Sequence, residues 1–254
     1  MRNWLKKIFD ARKTAQVEST PGTAEKARGD EFLAQRNWGE AERCYREAIA
    51  LAPQYAKAHN NLGFVLSRQD RIDAARESLQ RALELDPANP DTHYTLGTLA
   101  APDIQRFDEA RGYFAEALRL SLDFEAAHVA LCNLLVQQRE FALARIALAA
   151  AFAHCPGCAD LYRLQGELEH DGMAFAAAAV HFEKALAIDP ADTSTWTAFA
   201  QALLRLGRRD EAMAAFERGV ALMREATPAD DAKAMFNLGA ALMAIGRYDE
   251  AQGW

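Results

Sequence analysis

The chain has 254 residues, half of them hydrophobic, so it is long enough to bury the core of one or two domains. Its 29 Lys and Arg against 36 Asp and Glu give a net charge of −7, which excludes general binding to nucleic acid because the phosphate backbone needs clustered bases. No apolar run approaches the roughly 20 residues of a transmembrane helix. Four cysteines are too few to staple a fold of this length, and we therefore expect a cytoplasmic protein.

The beginning of the chain differs from the rest in charge. Residues 1–13 hold five bases and one acid, and the remaining residues carry 24 bases and 35 acids. The apolar side chains of this stretch fall on one helical face: Trp4, Leu5, Ile8 and Phe9. The pattern predicts a basic amphipathic segment and linker over residues 1–21. We favour docking of this segment on the chain itself, or disorder, and keep membrane attachment through residues 1–13 as the alternative.

From about residue 22 the sequence repeats with a period near 34 residues. Small residues recur in one column, which consists of Gly29, Gly63, Gly97, Cys132, Gly166, Ala200 and Gly239. Twelve or thirteen residues after each comes an alanine, at positions 41, 75, 110, 144, 178, 212 and 251. A third column holds large side chains: Tyr45, Leu79, Phe114, Leu148, Phe182 and Phe216. Columns kept in register at such a period indicate an array of structural repeats.

Each repeat is predicted to form two helices. In "AKAHNNLGFVLSRQDRIDAARESLQRALELDP" apolar residues fall at helical spacing on both sides of the polar break at Gln69 and Asp70, and the closing Asp-Pro ends the second helix. The small residues allow two helix backbones to approach closely, and the large column fills the space opposite. One such hairpin cannot bury both of its faces, so neighbouring repeats must stack.

These residues resemble the tetratricopeptide repeat family, whose pattern of W-x2-L-G-x2-Y, A-x3-F and P is matched best by "NNLGFVL…DAARESLQRALELDP" and "WTAFAQAL…EAMAAF". The resemblance implies an all-α, right-handed α-solenoid over residues 22–254. Six full repeats start near Gly22, Ala56, Pro90, Glu125, Ala159 and Thr193, and a partial seventh starts near Ala232. The third repeat carries one extra residue and Pro102, which predict that its first helix ends early.

The last repeat stops at "RYDEAQGW", before its large-residue and closing columns. Repeat arrays usually protect their last apolar face with a polar capping helix. We therefore expect the seventh repeat to be truncated and uncapped, with self-association through its apolar face.

The stretch "AHCPGCADLY" looks at first like a metal or redox site. Its Pro156 lies 34 residues before Pro190, however, and Cys155 stands where Asp189 stands one repeat later. Two cysteines cannot complete a four-ligand zinc site, and His154 leaves the fourth ligand without a source. We interpret the stretch as a turn between repeats, with a metal or redox role of Cys155 and Cys158 as the weaker alternative.

Three histidines form another column rather than a cluster. His59, His93 and His128 are 34 and 35 residues apart and occupy the position that Trp196 fills in the sixth repeat. Repeats packed about 8–10 Å apart place these side chains too far from one another to share a metal ion. Motifs for a nucleotide, a nucleophilic serine or a metalloprotease zinc are absent from the sequence. We expect no metal, no cofactor and no catalysis.

In the resembled family the first helices of the repeats line a concave groove that binds extended peptides or a partner helix. The corresponding residues here begin with Lys26 and Asp30, and the candidate contacts are Asn60, Asn61, Phe64, Arg68, Tyr94, Thr98, Asn133, Gln137 and Arg163. Side-chain amides can bond an extended backbone and aromatic rings supply contact area. We therefore predict a scaffold that binds a protein or peptide. The alternative is the N-terminal substrate-recognition segment of a larger enzyme, such as a glycosyltransferase.

Overall fold

The computed structural model describes residues 21–226 and Met243, and every regular element within residues 21–226 is a helix. The twelve α-helices of that range are α1 Thr23–Ala34, α2 Trp38–Leu51, α3 Ala56–Arg68, α4 Ile72–Leu85, α5 Pro90–Ala100, α6 Phe107–Leu120, α7 Glu125–Gln137, α8 Phe141–His154, α9 Ala159–Asp171, α10 Phe175–Ile188, α11 Thr193–Arg205 and α12 Arg209–Ala226. The predicted all-α class and the six helix pairs are confirmed.

The odd-numbered helices are the first helices of the repeats and the even-numbered ones are the second. Five of the six first helices begin at the predicted residue, and α1 begins one residue later, at Thr23. The third pair departs from the others as predicted. Its first helix α5 has 11 residues and ends at Ala100, and a 3-10 helix, Ile104–Arg106, leads into α6. The extra residue and Pro102 account for this difference because proline cannot continue a helix.

Within residues 21–226, five of the six turns inside a pair contain a residue with left-handed backbone, and the exception is the turn between α5 and α6. The residues with positive φ in these turns are Arg36, Asp70, Arg139, Met173 and Gly207, with φ of 57°, 62°, 60°, 60° and 77°. Left-handed backbone is rare for side chains other than glycine. In four of these five turns the left-handed residue is not glycine, so the packing around it must hold it in that conformation.

The turns between pairs share a second geometry. In each, the N–H of the fourth residue donates to the carbonyl of the first: Tyr55 to Ala52 (3.0 Å), Asn89 to Asp86 (3.4 Å), Phe124 to Ser121 (3.2 Å), Cys158 to Cys155 (3.3 Å) and Asp192 to Asp189 (3.4 Å). The sequence "CPGC" is thus the turn between α8 and α9, as predicted from its spacing to Pro190.

Inside each pair the small and large columns meet. A Cβ built on Gly29, Gly97 or Gly166 would lie 2.7, 2.6 and 2.7 Å from the ring of the residue that faces it, which is Tyr45, Phe114 and Phe182 respectively. Real Cβ atoms do not approach other atoms so closely. The absence of a side chain at these positions is therefore what lets the aromatic ring pack directly against the first helix.

The chain forms two compact units, one running through Leu134 and the other beginning at Leu135, so that the boundary falls within α7. The core of the first unit is built on buried residues such as Tyr45, Leu66, Leu79 and Phe114. The core of the second contains Phe182, Leu203 and Phe216.

The predicted amphipathic segment of residues 1–13 and the partial seventh repeat lie outside the described residues. Within residues 21–226, the helices fall short of the length and apolar character that crossing a membrane requires.

Candidate partner-binding surface

The first unit holds a polar network around one carboxylate, Asp30 of α1. Its Oδ2 accepts from Lys26 Nζ at 2.7 Å, and its Oδ1 accepts from the Tyr45 hydroxyl at 2.9 Å and from Asn61 Nδ2 at 3.0 Å. These donors come from three successive helices, so the carboxylate ties α1, α2 and α3 together. The ion pair with Lys26 and the two further hydrogen bonds offset the energetic cost of burying this carboxylate.

The same network fixes the protonation of Tyr45. Burial raises the pKa of its hydroxyl far above the usual value, and the negative charge of Asp30 adds to the effect. At neutral pH the hydroxyl is therefore protonated and donates its hydrogen to Asp30.

Asn60 extends the network by one step. Its Nδ2 donates to Asn61 Oδ1 at 3.3 Å, and its side chain is nearly buried at 5% exposure. The chain of bonds ends there, because Asn60 Oδ1 has no hydrogen-bond partner among the described residues. A buried carbonyl without a partner costs about 1–3 kcal/mol. An N–H donor that reached this carbonyl would remove the cost.

Phe64 and Arg68 continue the face of α3 that Asn60 begins, since the three residues follow at intervals of four. Phe64 is half-buried and packs against the core of the first unit. Arg68 is exposed, and its guanidinium lies 5.8 Å from the ring centre of Trp38. This face therefore places an amide, an aromatic ring and a cation in line along the helix.

The next first helix, α5, contributes Tyr94 and Thr98. The Tyr94 ring packs on Phe124 and Phe114, with ring centres 5.2 and 6.0 Å away, and burial raises the pKa of its hydroxyl. The Thr98 hydroxyl donates to the carbonyl of Thr95 at 2.8 Å, which is a bond within the helix. Of the two residues, Tyr94 therefore offers the larger contact surface to a partner.

Phe124 was not among the predicted contacts. It lies in the turn between α6 and α7, at the fourth position of the shared turn geometry. In the sequence, Phe124 stands one repeat before Cys158 and one repeat after Asn89. This register indicates a position next to the face of the first helix.

The remaining candidates lie further along the chain. Asn133 is half-buried on α7 within the first unit, and Gln137 is exposed at the end of α7 within the second unit. Neither residue is among the hydrogen-bonded residues of the network around Asp30.

Arg163, in the second unit, is surrounded by acids. Its guanidinium bonds Glu167 Oε1 at 2.6 Å and Asp160 Oδ1 at 3.1 Å, and it lies 3.9 Å from Asp192 Oδ2. Burial lowers the pKa of Arg163, but the two carboxylates of Glu167 and Asp160 outweigh that effect and raise it. With 17% of its side chain exposed, Arg163 is committed to partners in the chain and offers little to a ligand anion.

Asp192 was also missed by sequence reasoning. It stands at the start of α11, where it accepts from the Ser194 amide at 3.0 Å and from the Thr195 hydroxyl. Burial raises its pKa, but these bonds and the charge of Arg163 outweigh burial and lower it. Its capping role could be read from the sequence, whereas its approach to Arg163 depends on the packing of α9 against α11.

The histidine column serves the turns between repeats. The ring nitrogen Nε2 of His59, His93 and His128 lies 3.0, 2.9 and 2.9 Å from the carbonyl oxygen of the residue six positions earlier, and Trp196 Nε1 donates to Pro190 at 3.0 Å. A histidine at this distance from a carbonyl carries its proton on Nε2. In the part of the chain that the structure describes, no three His, Cys, Asp or Glu side chains converge in a way that could hold a metal ion.

Two known proteins are similar to this chain in sequence. The type IV pilus assembly protein PilF of Pseudomonas aeruginosa is 27% identical over 136 residues, which are 53% of this chain and 54% of PilF. The protein O-mannosyl-transferase Tmtc2 of Drosophila melanogaster is 43% identical over 58 residues, which are 23% of this chain and 6% of that protein. The matches therefore span 54% and 6% of the length of these relatives.

Solved structures show the same fold at low identity. The structure of Pseudomonas aeruginosa PilF matches with a TM-score of 0.69 at 18% identity, covering 78% of this chain and 89% of that one. YrrB, described as a TPR protein with an unusual peptide-binding site, matches with a TM-score of 0.53 at 19% identity, covering 79% of this chain and 96% of that one.

Two family models, both described as tetratricopeptide repeat, match most of the chain. The first matches residues 26–90, 65–123 and 129–193, and the second matches residues 174–229. These ranges follow the helix pairs from α1 to α12. Together with the helical fold and the columns of small and large residues, they show that this chain belongs to the tetratricopeptide repeat family.

Proposed function

We propose that this protein is a scaffold that binds an extended peptide segment of a partner protein, and that it does so through the face of the first helices α3 and α5. The candidate contacts in this face are Asn60, Asn61, Phe64, Arg68, Tyr94 and Thr98. We propose no catalysis by this chain, and a cytoplasmic location stays a prediction.

The single observation that carries the proposal is the unpaired carbonyl of Asn60. The amide pair Asn60 and Asn61 is anchored to Asp30, and it ends in a buried acceptor for which residues 21–226 supply no donor. Backbone N–H groups of an extended peptide are donors of the required kind. Phe64 lies one helical turn away and can cover the peptide with apolar surface.

The comparisons support this proposal at a coarser level. Tetratricopeptide repeats are scaffolds used with many ligands. PilF is named for the assembly of a pilus, and YrrB is described as having a peptide-binding site. Each description belongs to that protein, and each is compatible with a chain whose task is to hold another protein.

The test uses peptides selected for binding to the intact chain by display of a random library. Dissociation constants of labelled peptides are then measured for the wild type and for the double variant Phe64→Ala/Tyr94→Ala. Loss of two aromatic contacts is expected to weaken binding at least about tenfold.

A matched control removes two apolar side chains elsewhere. Leu143 and Ile146 of α8 are exposed, so Leu143→Ala/Ile146→Ala should leave binding unchanged and the fold intact. Circular dichroism and urea unfolding show whether each variant is folded. Should the aromatic double variant prove unfolded, Arg68→Ala tests the same face from an exposed position. Equal binding by folded groove variants and the wild type would contradict the proposal.

The second candidate is a substrate-recognition segment of a larger glycosyltransferase. The observation that favours it is the 43% identity to a 58-residue part of Tmtc2, which is named as an O-mannosyl-transferase. The decisive experiment is sequencing of the reading frame beyond Trp254 in the gene. A catalytic domain encoded in frame would support this candidate, and a stop codon shortly after would reject it.

A further inference from the structure

We propose that Cys155 and Cys158 form a reversible disulfide that closes the turn between α8 and α9. Cys155 and Cys158 are not joined by a disulfide bond in this structure. This inference concerns the second unit and is independent of the proposed binding face on α3 and α5.

The backbone of the turn places the two cysteines close together. The N–H of Cys158 donates to the carbonyl of Cys155 at 3.3 Å, which closes a four-residue turn around Pro156 and Gly157. In such a turn the first and fourth Cα atoms lie within about 7 Å of each other. Cα separations of about 4.4–6.8 Å are those that a disulfide can bridge.

Both cysteines are buried, at the two ends of the turn. Cys155 and Cys158 are 9% and 5% exposed, whereas Pro156 and Gly157 between them are exposed. Two buried residues at the ends of one tight turn have their Cα atoms at a separation that a disulfide can span. Pairing them therefore requires a change of side-chain rotamers rather than a rearrangement of the helices.

The other turns between repeats show that the fourth position, where Cys158 stands, does not require cysteine. The turns between the repeats of residues 21–226 share the same backbone hydrogen bond, and the fourth position can serve the helix that follows. Asn89 accepts from the Asp91 amide at 2.9 Å, and Asp192 accepts from the Ser194 amide at 3.0 Å. Helix α9 begins after Cys158 without a side-chain cap. Asparagine or aspartate at this position caps the following helix, a role for which cysteine is poorly suited.

The chemistry is thiol–disulfide exchange with a low-molecular-weight disulfide such as oxidised glutathione. The thiolate of one cysteine attacks a sulfur of the glutathione disulfide, which breaks that S–S bond and releases one glutathione thiolate. The thiolate of the second cysteine then attacks the mixed disulfide and releases the second glutathione. The chain loses two protons and two electrons, and the oxidised glutathione is reduced to two thiols.

The experiment treats the folded full-length chain with oxidised glutathione, quenches with acid, alkylates the remaining thiols and digests with trypsin. The peptide of residues 146–163 contains both cysteines and no other cleavage site. We expect this peptide to become lighter by two hydrogen atoms and to escape alkylation. The buried Cys44 and Cys132 lie in other peptides and serve as internal standards. If the chain stays folded during the treatment, their thiols become accessible to the alkylating reagent only after the quench.

The matched variants are Cys155→Ser and Cys158→Ser. Each leaves one thiol, so its 146–163 peptide should carry either one glutathione or one alkyl group and never the internal bond. Two outcomes with the wild type would overturn the proposal: a peptide that keeps both thiols alkylatable in excess oxidised glutathione, or one that carries two separate glutathiones while the helix content is unchanged.

Discussion

A Cβ atom placed on Gly63 would lie 2.5 Å from Cγ of Leu79 and 3.1 Å from the carbonyl oxygen of Ala75. Gly63 lies in the middle of α3, and Leu79 and Ala75 lie on its partner α4. Glycine inside a helix costs about 1 kcal/mol relative to alanine. The close approach of α3 to α4 explains why the sequence accepts that cost at this position.

The first prediction compares two helical glycines. Gly63→Ala forces Leu79 and the neighbouring backbone to move, so the free energy of unfolding should fall by about 1–3 kcal/mol. Gly112 lies on α6 with nothing within 4 Å of a built Cβ, so Gly112→Ala should raise the free energy of unfolding by up to about 1 kcal/mol. Urea unfolding of both variants measures the difference. The same sign for both substitutions would refute the assignment of the small-residue column.

The fold could be predicted from the sequence because the columns of small and large residues reflect contacts that recur from repeat to repeat. Gly63 faces Leu79 for the same reason that Gly97 faces Phe114, and one period therefore predicts both pairs. The histidine column was likewise recognised as structural. Its mechanism, a ring N–H that donates to a carbonyl six residues earlier, needed coordinates, because the proline column locates the turn but not the direction of its carbonyl groups.

The polar network was less predictable. Asn61 was assigned to the binding face, yet its amide is committed to Asp30, a residue 31 positions away. Sequence periodicity gives the face on which a side chain lies, but not whether a neighbouring helix supplies it with a partner. The same limit applies to Arg163, whose three acidic neighbours lie on α9 and at the start of α11.

The second prediction concerns the ring of His93. His93→Phe keeps an aromatic ring but leaves the carbonyl of Pro87 without its donor, while it also removes the buried Nδ1 that has no partner among the described residues, so the free energy of unfolding should fall by only about 1 kcal/mol. His59 makes the same bond to Pro53 in an exposed setting, where water can replace the lost donor, and His59→Phe should cost less. Urea unfolding of the two variants gives the comparison. A larger loss for His59→Phe would show that the hydrogen bond is not what the column provides.

The third prediction is a pH dependence at Glu42. Burial raises the pKa of this carboxyl, but bonds from Arg71, Arg46 and Gln69 outweigh burial and lower it. The folded pKa therefore lies below the unfolded value of about 4.3. The stabilisation by ionised Glu42 is present above that pH and is lost as the pH falls through the folded pKa.

Glu42→Gln should accordingly lower the free energy of unfolding by about 0.2–1 kcal/mol at neutral pH and by less near pH 3. The bond from Arg71 Nη1 to Glu42 at 2.8 Å links the first repeat to the second, so the effect should appear in unfolding of the first unit. Glu77→Gln, at an exposed position, is the control and should change little at either pH. An equal effect of Glu42→Gln at both pH values would contradict the shifted pKa.

The last prediction separates the two neighbouring amides of the binding face. Asn61→Leu removes a donor from the half-buried carboxylate of Asp30, so the free energy of unfolding should fall by about 1–3 kcal/mol. Asn60→Leu removes a donor to Asn61 but also removes the carbonyl that lacks a partner, and these two effects offset each other. The stability of the Asn60→Leu variant should therefore stay within about 1 kcal/mol of the wild type, while its affinity for selected peptides falls. Urea unfolding and peptide titration on the same samples measure both quantities. A stable Asn60→Leu protein that binds peptides as tightly as the wild type would show that the unpaired carbonyl is not a ligand contact.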